Sequence, residues 1–169
     1  MSKILSEVEV DFEHFGLDPF GILRAIYING LHGKLTQGGS TLTQQLIKNM
    51  FLTRERTFTR KINEMLMALM LEYHYSKEDI LSAYVNEIYL GQNGKRSIHG
   101  FGMAAEFYFS KPLNELNNAE VALLVGMVKG ASYYNPRKQT KRALNRRNLV
   151  LKLLKNSEFI SEVEFEVAI

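Results

Sequence analysis

The sequence predicts an all-α domain, on three observations. Apolar residues recur at three- and four-residue spacing along most of the chain. The apolar runs open on Ser, Thr, Asp or Asn in helix-capping positions. No run of alternating apolar residues is long enough for a strand of substance.

The bulk numbers agree with a globular domain. The chain has 169 residues, a length that suits one domain around a single core. Hydrophobic residues make up 46% of it, which argues against disorder. The net charge of +3 is compatible with anionic head groups or phosphates without singling out either. There is no cysteine, so disulfides and thiolate metal sites are excluded. No apolar run approaches the roughly 20 residues needed to cross a bilayer, and nothing at the start reads as a signal peptide.

Taken in order, residues 1–17 alternate acids with Val8, Val10 and Phe12, as in a brief extended segment. Asp18-Pro19 reads as N-cap and first-turn proline of a helix whose stripe (Phe20, Leu23, Ile26, Tyr27, Leu31) stops at Gly33. A second helix begins at Thr41, with Gln44 in capping-box spacing. From Arg56 to about Tyr75 the pattern is helical and apolar on more than one face. Ile62, Met65, Leu66, Leu69 and Tyr73 form one stripe, and Met67, Met70 and Leu71 spill onto another. Such a helix is the buried centre of a domain or lies against lipid. Ser76 and Asp79 open a helix carrying Ile80, Leu81, Tyr84 and Ile88 before Gly91. Gln92 to Ser97 reads as a polar loop, and a helix with small residues runs from Gly100 to Phe109. Asn117 with Glu120 caps an apolar helix reaching Gly130, and Tyr133 to Pro136 is a turn. Thr140 to about Leu154 is amphipathic, and Ser161 with Glu164 starts a last short helix.

The densest polar stretch is Gln37 to Asn49, where two glycines lead into hydroxyls, amides and Lys48. A glycine-led helix start exposes backbone N–H groups to anionic oxygen, though an ordinary polar helix start has the same composition. His14, His32, His74 and His99 show no metal-ligand spacing and read as structural. Among the carboxylates, Glu64 lies four residues after Arg60, on one helix face. This pair is either a solvated ion pair or a carboxylate held by a cation at the mouth of a groove.

The order of these stretches resembles the peptidoglycan glycosyltransferases of family 51, the polymerase domain of class A penicillin-binding proteins. Five ordered motifs carry the resemblance over nearly the whole chain. The first has Glu7 seven residues before His14, with Gly16 in place; Val8 and Asp11 depart from the family's Asp and Phe. The second, Gly-x-Ser-Thr-x-Thr-Gln-Gln, is matched from Gly38 to Gln45, and the third, Arg-Lys-x-x-Glu, from Arg60 to Glu64. The fourth, Lys-x-x-Ile-Leu-x-x-Tyr-x-Asn, is matched from Lys77 to Asn86, followed by Tyr89 and Gly91; a fifth region spans Gly100 to Tyr108-Phe109. Leu123 to Pro136 is especially similar to the class A branch.

The resemblance implies a lysozyme-like, two-lobed helical domain with a central cleft. It implies one glycosyltransferase domain over residues 1–169, N-terminally truncated, with neither membrane anchor nor penicillin-binding domain. The implied reaction polymerises lipid II into glycan strands with inversion and release of undecaprenyl diphosphate. Glu7 would be the general base, with Glu9 as the alternative, and Glu64 the second catalytic carboxylate. Gly39, Ser40, Thr41, Gln44, Gln45, Lys48, Asn49, Arg60, Lys61, Asn86 and Tyr89 would bind substrate. No cofactor is required and no metal site is certain; Mg²⁺ or another divalent ion at the diphosphate is compatible with the scheme. The implied partners are lipid II, the growing glycan strand, a membrane surface and other cell-wall synthesis proteins, with no nucleic acid. The implied place is the bacterial cell envelope, on the periplasmic face of the cytoplasmic membrane. Part of the apolar excess in Phe51–Tyr75 would then touch lipid. The alternatives are a non-catalytic lipid II-binding remnant and a lysozyme-like glycan-cleaving enzyme. A cleaver has no use for a diphosphate cradle, which Lys48, Arg60 and Lys61 would build.

Overall fold

A computed structural model describes residues 41–51 and 57–169. The helix expected after Asp18-Pro19, the extended segment before it and the glycines leading to Thr41 lie outside the described residues. What is described falls into two compact units divided between Tyr84 and Val85.

The first unit holds helices α1 (Leu42–Phe51) and α2 (Phe58–His74) and most of α3 (Lys77–Glu87). α1 opens as expected: the N–H of Gln44 donates to Thr41 Oγ1 at 3.3 Å, and that of Gln45 to the Thr41 carbonyl at 3.0 Å. α2 is capped by Thr57, whose side chain accepts from the Arg60 N–H at 3.1 Å. At the start of α3, Ser76 and Asp79 exchange hydrogen bonds, and Ile80 and Tyr84 are buried.

α2 departs from the expected burial. Its buried positions are Glu64, Ala68 and Glu72, spaced four apart on one face. Ile62, Leu66, Met70 and Tyr73 are exposed instead, as is Phe58 at 92%. Met65, Met67, Leu69 and Leu71 are half-buried. The helix is therefore not a core helix apolar all round. The reason is its neighbour: α1 packs against α2 and brings buried Thr43 and Gln44, which need polar partners rather than leucines.

The second unit contains a hairpin, β1 (Tyr89–Asn93) with β2 (Arg96–His99), then α4 (Phe101–Phe109), α5 (Asn118–Val128), α6 (Thr140–Asn156) and α7 (Glu162–Ala168). A single 3₁₀ turn, Leu113–Glu115, precedes α5. The hairpin corrects the loop expected from Gln92 to Ser97. Its strands are antiparallel, with Asn93 opposite Arg96, leaving Gly94-Lys95 as a two-residue loop. Gly94 takes φ +58°, which glycine adopts without steric cost. The strands escaped the sequence pattern because only Leu90 and Ile98 are buried apolar side chains there, while Gln92, Asn93, Arg96 and Ser97 face solvent. The chain remains mostly helical.

The core of this unit lies between α5 and α6, where Leu124, Met127, Val150 and Leu151 are buried. Gly126 permits the approach, since a Cβ there would come within 3.0 Å of Arg146 Cγ. Tyr108 on α4 donates to the Leu90 carbonyl at 3.0 Å, tying α4 to β1; burial pushes its hydroxyl above the ordinary tyrosine value. Arg137 stacks on Phe107 at 3.9 Å and donates to its carbonyl at 2.7 Å. The capping boxes expected at Asn117–Glu120 and Ser161–Glu164 are both formed. Burial alone would raise the pKa of Glu120. Hydrogen bonds from Lys111 Nζ and the Asn117 N–H, with the Lys111 charge, outweigh it and hold the carboxyl below its ordinary value.

Two predictions follow from this unit. Gly100 has φ +75° and ψ 155°, a region nearly confined to glycine, and a Cβ would sit 2.4 Å from the Asn86 carbonyl oxygen. Gly100→Ala is expected to lower stability by about 1–3 kcal/mol in urea unfolding. Because the folded pKa of Glu120 is depressed, its contribution is complete above the ordinary glutamate pKa and disappears as pH falls through the lowered folded value. Glu120→Gln should cost about 1 kcal/mol at neutral pH, and the gap between parent and variant urea midpoints should close in acid.

Candidate active site

The site is built from the first two turns of α1 and the buried face of α2. Thr43, Gln44 and Gln45 are consecutive, so their side chains leave the helix about 100° apart. Each meets a different partner. Thr43 Oγ1 donates to Glu72 Oε1. Gln44 Oε1 accepts from Lys61 Nζ at 3.2 Å. Gln45 Oε1 accepts from the Tyr84 hydroxyl at 3.3 Å. The hydroxyl and amide run thus docks one helix onto two others. Leu46 and Ile47 complete the buried side of α1, while Lys48 and Asn49 are exposed beyond them.

Half of the expected capping box is formed, with the Gln44 N–H on Thr41 Oγ1. The side-chain carbonyl of Gln44 is taken by Lys61, which also contacts Glu64 Oε1 directly. Arg60 Nη1 lies 3.7 Å from Glu64 Oε2. The carboxylate of Glu64, with only 3% of its side chain exposed, therefore has cations on both oxygens. This settles the sequence ambiguity in favour of a held, buried carboxylate over a solvated pair. Such a pair is costly to bury and adds little to stability. Its effect is to fix two cations and an amide around one point. Among the described residues, Gln44 Nε2 and Arg60 Nε are buried N–H donors without a hydrogen-bond partner. Buried donors of this kind are rare in native proteins and call for an acceptor.

A second buried carboxylate lies two turns on. Glu72 accepts from Thr43, and Lys77 Nζ reaches both of its oxygens at 2.7 Å. Sequence reasoning passed over Glu72. The signal was present, for Glu64 and Glu72 stand eight residues apart on one face of an otherwise apolar helix.

Of the other residues singled out, Asn86 and Tyr89 belong to the second unit. There the Asn86 backbone crowds Gly100, and Tyr89 stands edge-on to His99 with ring centroids 5.7 Å apart. Glu7, Glu9, Gly39 and Ser40 lie outside the described residues. Among the described residues, no three His, Asp or Glu side chains group in a way that would hold a metal ion, and no helix is long and apolar enough to cross a membrane.

The fold is mostly helical, and α1 and α2 enclose a buried cation–carboxylate cluster. Comparison with known proteins gives the family. The chain aligns with a crystal structure of penicillin-binding protein 1A from Haemophilus influenzae with a TM-score of 0.51 and 31% identity, over 75% of this chain and 15% of that one. The family described as Transglycosylase matches residues 4–155. Penicillin-binding protein 1B of Haemophilus influenzae is 52% identical over 164 residues, 97% of this chain and 21% of the relative. That of Escherichia coli is 50% identical over 156 residues, 92% of this chain and 18% of the relative. The chain belongs to the transglycosylase family, as a peptidoglycan glycosyltransferase domain of the class A penicillin-binding protein type. It spans about a fifth of the length of the curated relatives it matches.

Gln44 uses its carbonyl and leaves its amide N–H unpartnered among the described residues. Gln44→Met, which removes both, is therefore expected to keep the urea-unfolding stability within about 1 kcal/mol of the parent.

Proposed function

We propose that this chain polymerises lipid II into glycan strands, releasing undecaprenyl diphosphate, through a site whose cationic half is the Gln44–Arg60–Lys61–Glu64 cluster. In one displacement the 4-hydroxyl oxygen of the acceptor sugar forms a bond to the anomeric carbon of the donor. The bond from that carbon to the diphosphate oxygen breaks, and its electron pair leaves on the diphosphate. The hydroxyl proton passes to a carboxylate, assigned to Glu7 with Glu9 as the alternative. A single displacement inverts the anomeric centre and needs no covalent intermediate. A sugar hydroxyl is a weak nucleophile at neutral pH, and general-base help contributes about 10²–10⁴-fold.

The observation that carries this reading is the pair of buried N–H donors, on Gln44 and Arg60, that have no partner among the described residues and stand beside the Lys61 ammonium. Donors fixed in advance around developing negative charge stabilise it without reorganisation. Lys48 and Asn49, exposed on α1, would extend the cradle, and Gly39, Ser40, Thr41 and Gln45 are assigned to substrate binding by family resemblance. Glu64 holds Arg60 and Lys61 in place rather than moving a proton. Asn86 and Tyr89 are assigned to substrate binding by family resemblance. A divalent ion such as Mg²⁺ would be carried by the diphosphate itself, since the chain's donors here are cationic or amide groups. The exposed stripe Phe58, Ile62, Leu66, Met70 on α2 supports contact with a membrane surface or the polyprenyl tail. A place at the periplasmic face of the cytoplasmic membrane, beside other cell-wall synthesis proteins, follows from that substrate. The family assignment does not favour the glycan-cleaving or binding-only alternatives.

The test is polymerisation of lipid-linked disaccharide–pentapeptide by the purified chain in detergent. The parent should make glycan polymer, Glu7→Gln should lower turnover by about 10²–10⁴-fold, and Glu9→Gln should leave it near parental. Arg60→Met should cost about 10²–10³-fold, as for loss of one charge-stabilising donor. Loss confined to Glu9→Gln would move the base to that position, and a folded parent that makes no polymer would overturn the reading.

A further inference from the structure

We propose that Glu72 is a positioning residue of the glycosyl-transfer site, acting through Thr43 to set the rotation of α1. The proposal rests on the functional reading above and extends it to a residue outside all five sequence motifs. Glu72 joins two of those motifs physically: Thr43 of the second donates to it, and Lys77 of the fourth holds both its oxygens at 2.7 Å. Thr43 is fully buried and Glu72 nearly so, with 3% of its side chain exposed.

The chemistry is specific to orientation. Apolar side chains would pack α1 onto α2 at lower cost, because a buried carboxylate loses its hydration and recovers it only with good partners. Apolar contact, however, tolerates small rotations of a helix about its axis. A hydroxyl–carboxylate hydrogen bond does not, being confined to a narrow range of distance and angle. Lys77 neutralises Glu72 and keeps it aimed at Thr43. Thr43 lies between Thr41 and Gln44, so its anchor fixes where the Thr41 hydroxyl and the Gln44 amide stand. Displacing such groups by about 1 Å costs on the order of 10²-fold in rate.

The test is steady-state polymerisation of lipid-linked disaccharide–pentapeptide, measured well below each variant's melting midpoint. Thr43→Val keeps the shape and removes the donor. It should lower kcat by roughly 10-fold or more with KM nearly unchanged, because the lost alignment matters in the transition state. Thr43→Ser, which restores a hydroxyl, should recover most of kcat. Ile80→Val, a packing change in the same unit, should lower the melting midpoint while keeping kcat. A kcat for Thr43→Val that matches Ile80→Val, a rise in KM alone, or no recovery in folded Thr43→Ser would overturn the proposal. If Thr43→Val does not fold, Glu72→Gln reads the same coupling through loss of the Lys77 pair, and unchanged kcat there overturns it. No polymer from the parent removes the functional reading and this proposal with it; polymer from the parent with unaffected variants removes this proposal alone.

Discussion

The first unit depends on the burial of polar side chains between α1 and α2. Thr43 and Gln44 point inward at positions where a helix of this size normally carries leucine or valine. Each buried hydroxyl or amide demands a partner, and α2 supplies them with Glu72, Lys61 and, through Lys61, Glu64. That demand explains why α2 turns Glu64, Ala68 and Glu72 toward α1 and leaves Ile62, Leu66 and Met70 outside. Burying aliphatic area at about 25 cal/mol per Å² would have favoured the opposite rotation. Satisfying the buried hydroxyl and the amide carbonyl outweighs it, since an unpaired buried polar group costs about 1–3 kcal/mol and a charge more.

A polar interface of this kind contributes less to stability than an apolar one of equal area. Its ion pairs lose hydration, and two of its donors have no partner among the described residues. The second unit shows the complementary arrangement. There the buried faces of α5 and α6 are lined by Leu124, Met127, Val150 and Leu151, capped helices begin at Asn117 and Ser161, and Gly126 allows close approach. The α5–α6 interface is thus apolar, whereas α1 and α2 meet largely through polar and charged groups. Active sites commonly carry such local cost, offset by packing elsewhere.

Much of the fold was legible in the sequence because helices announce themselves locally. The periodic stripes of α3, α5 and α6 and the capping boxes at Asn117 and Ser161 need only neighbours three or four residues away. The hairpin was not legible in the same way, although Gly94-Lys95 is a two-residue loop of the glycine-first kind. Four- and five-residue strands with one buried apolar side chain each give no alternation to read. Of the site, Thr41, Gln44, Arg60, Lys61 and Glu64 were identified from motif order, and the structure brings the last four into one cluster. Glu72 was missed because its partners lie 29 residues before it and five after.

The sequence alone determined the helical class, the caps, the residue types of the site and the family that their order resembles. Those follow from local spacing and from chemistry carried by single side chains. Only the tertiary structure decided which face of α2 is buried, that the Gln44 carbonyl accepts from Lys61, and that Glu72 links Thr43 to Lys77. Each of these outcomes depends on which polar groups meet after burial. The desolvation of one helix's side chains is set by the partners another helix brings to it, and spacing along a single helix does not contain that information.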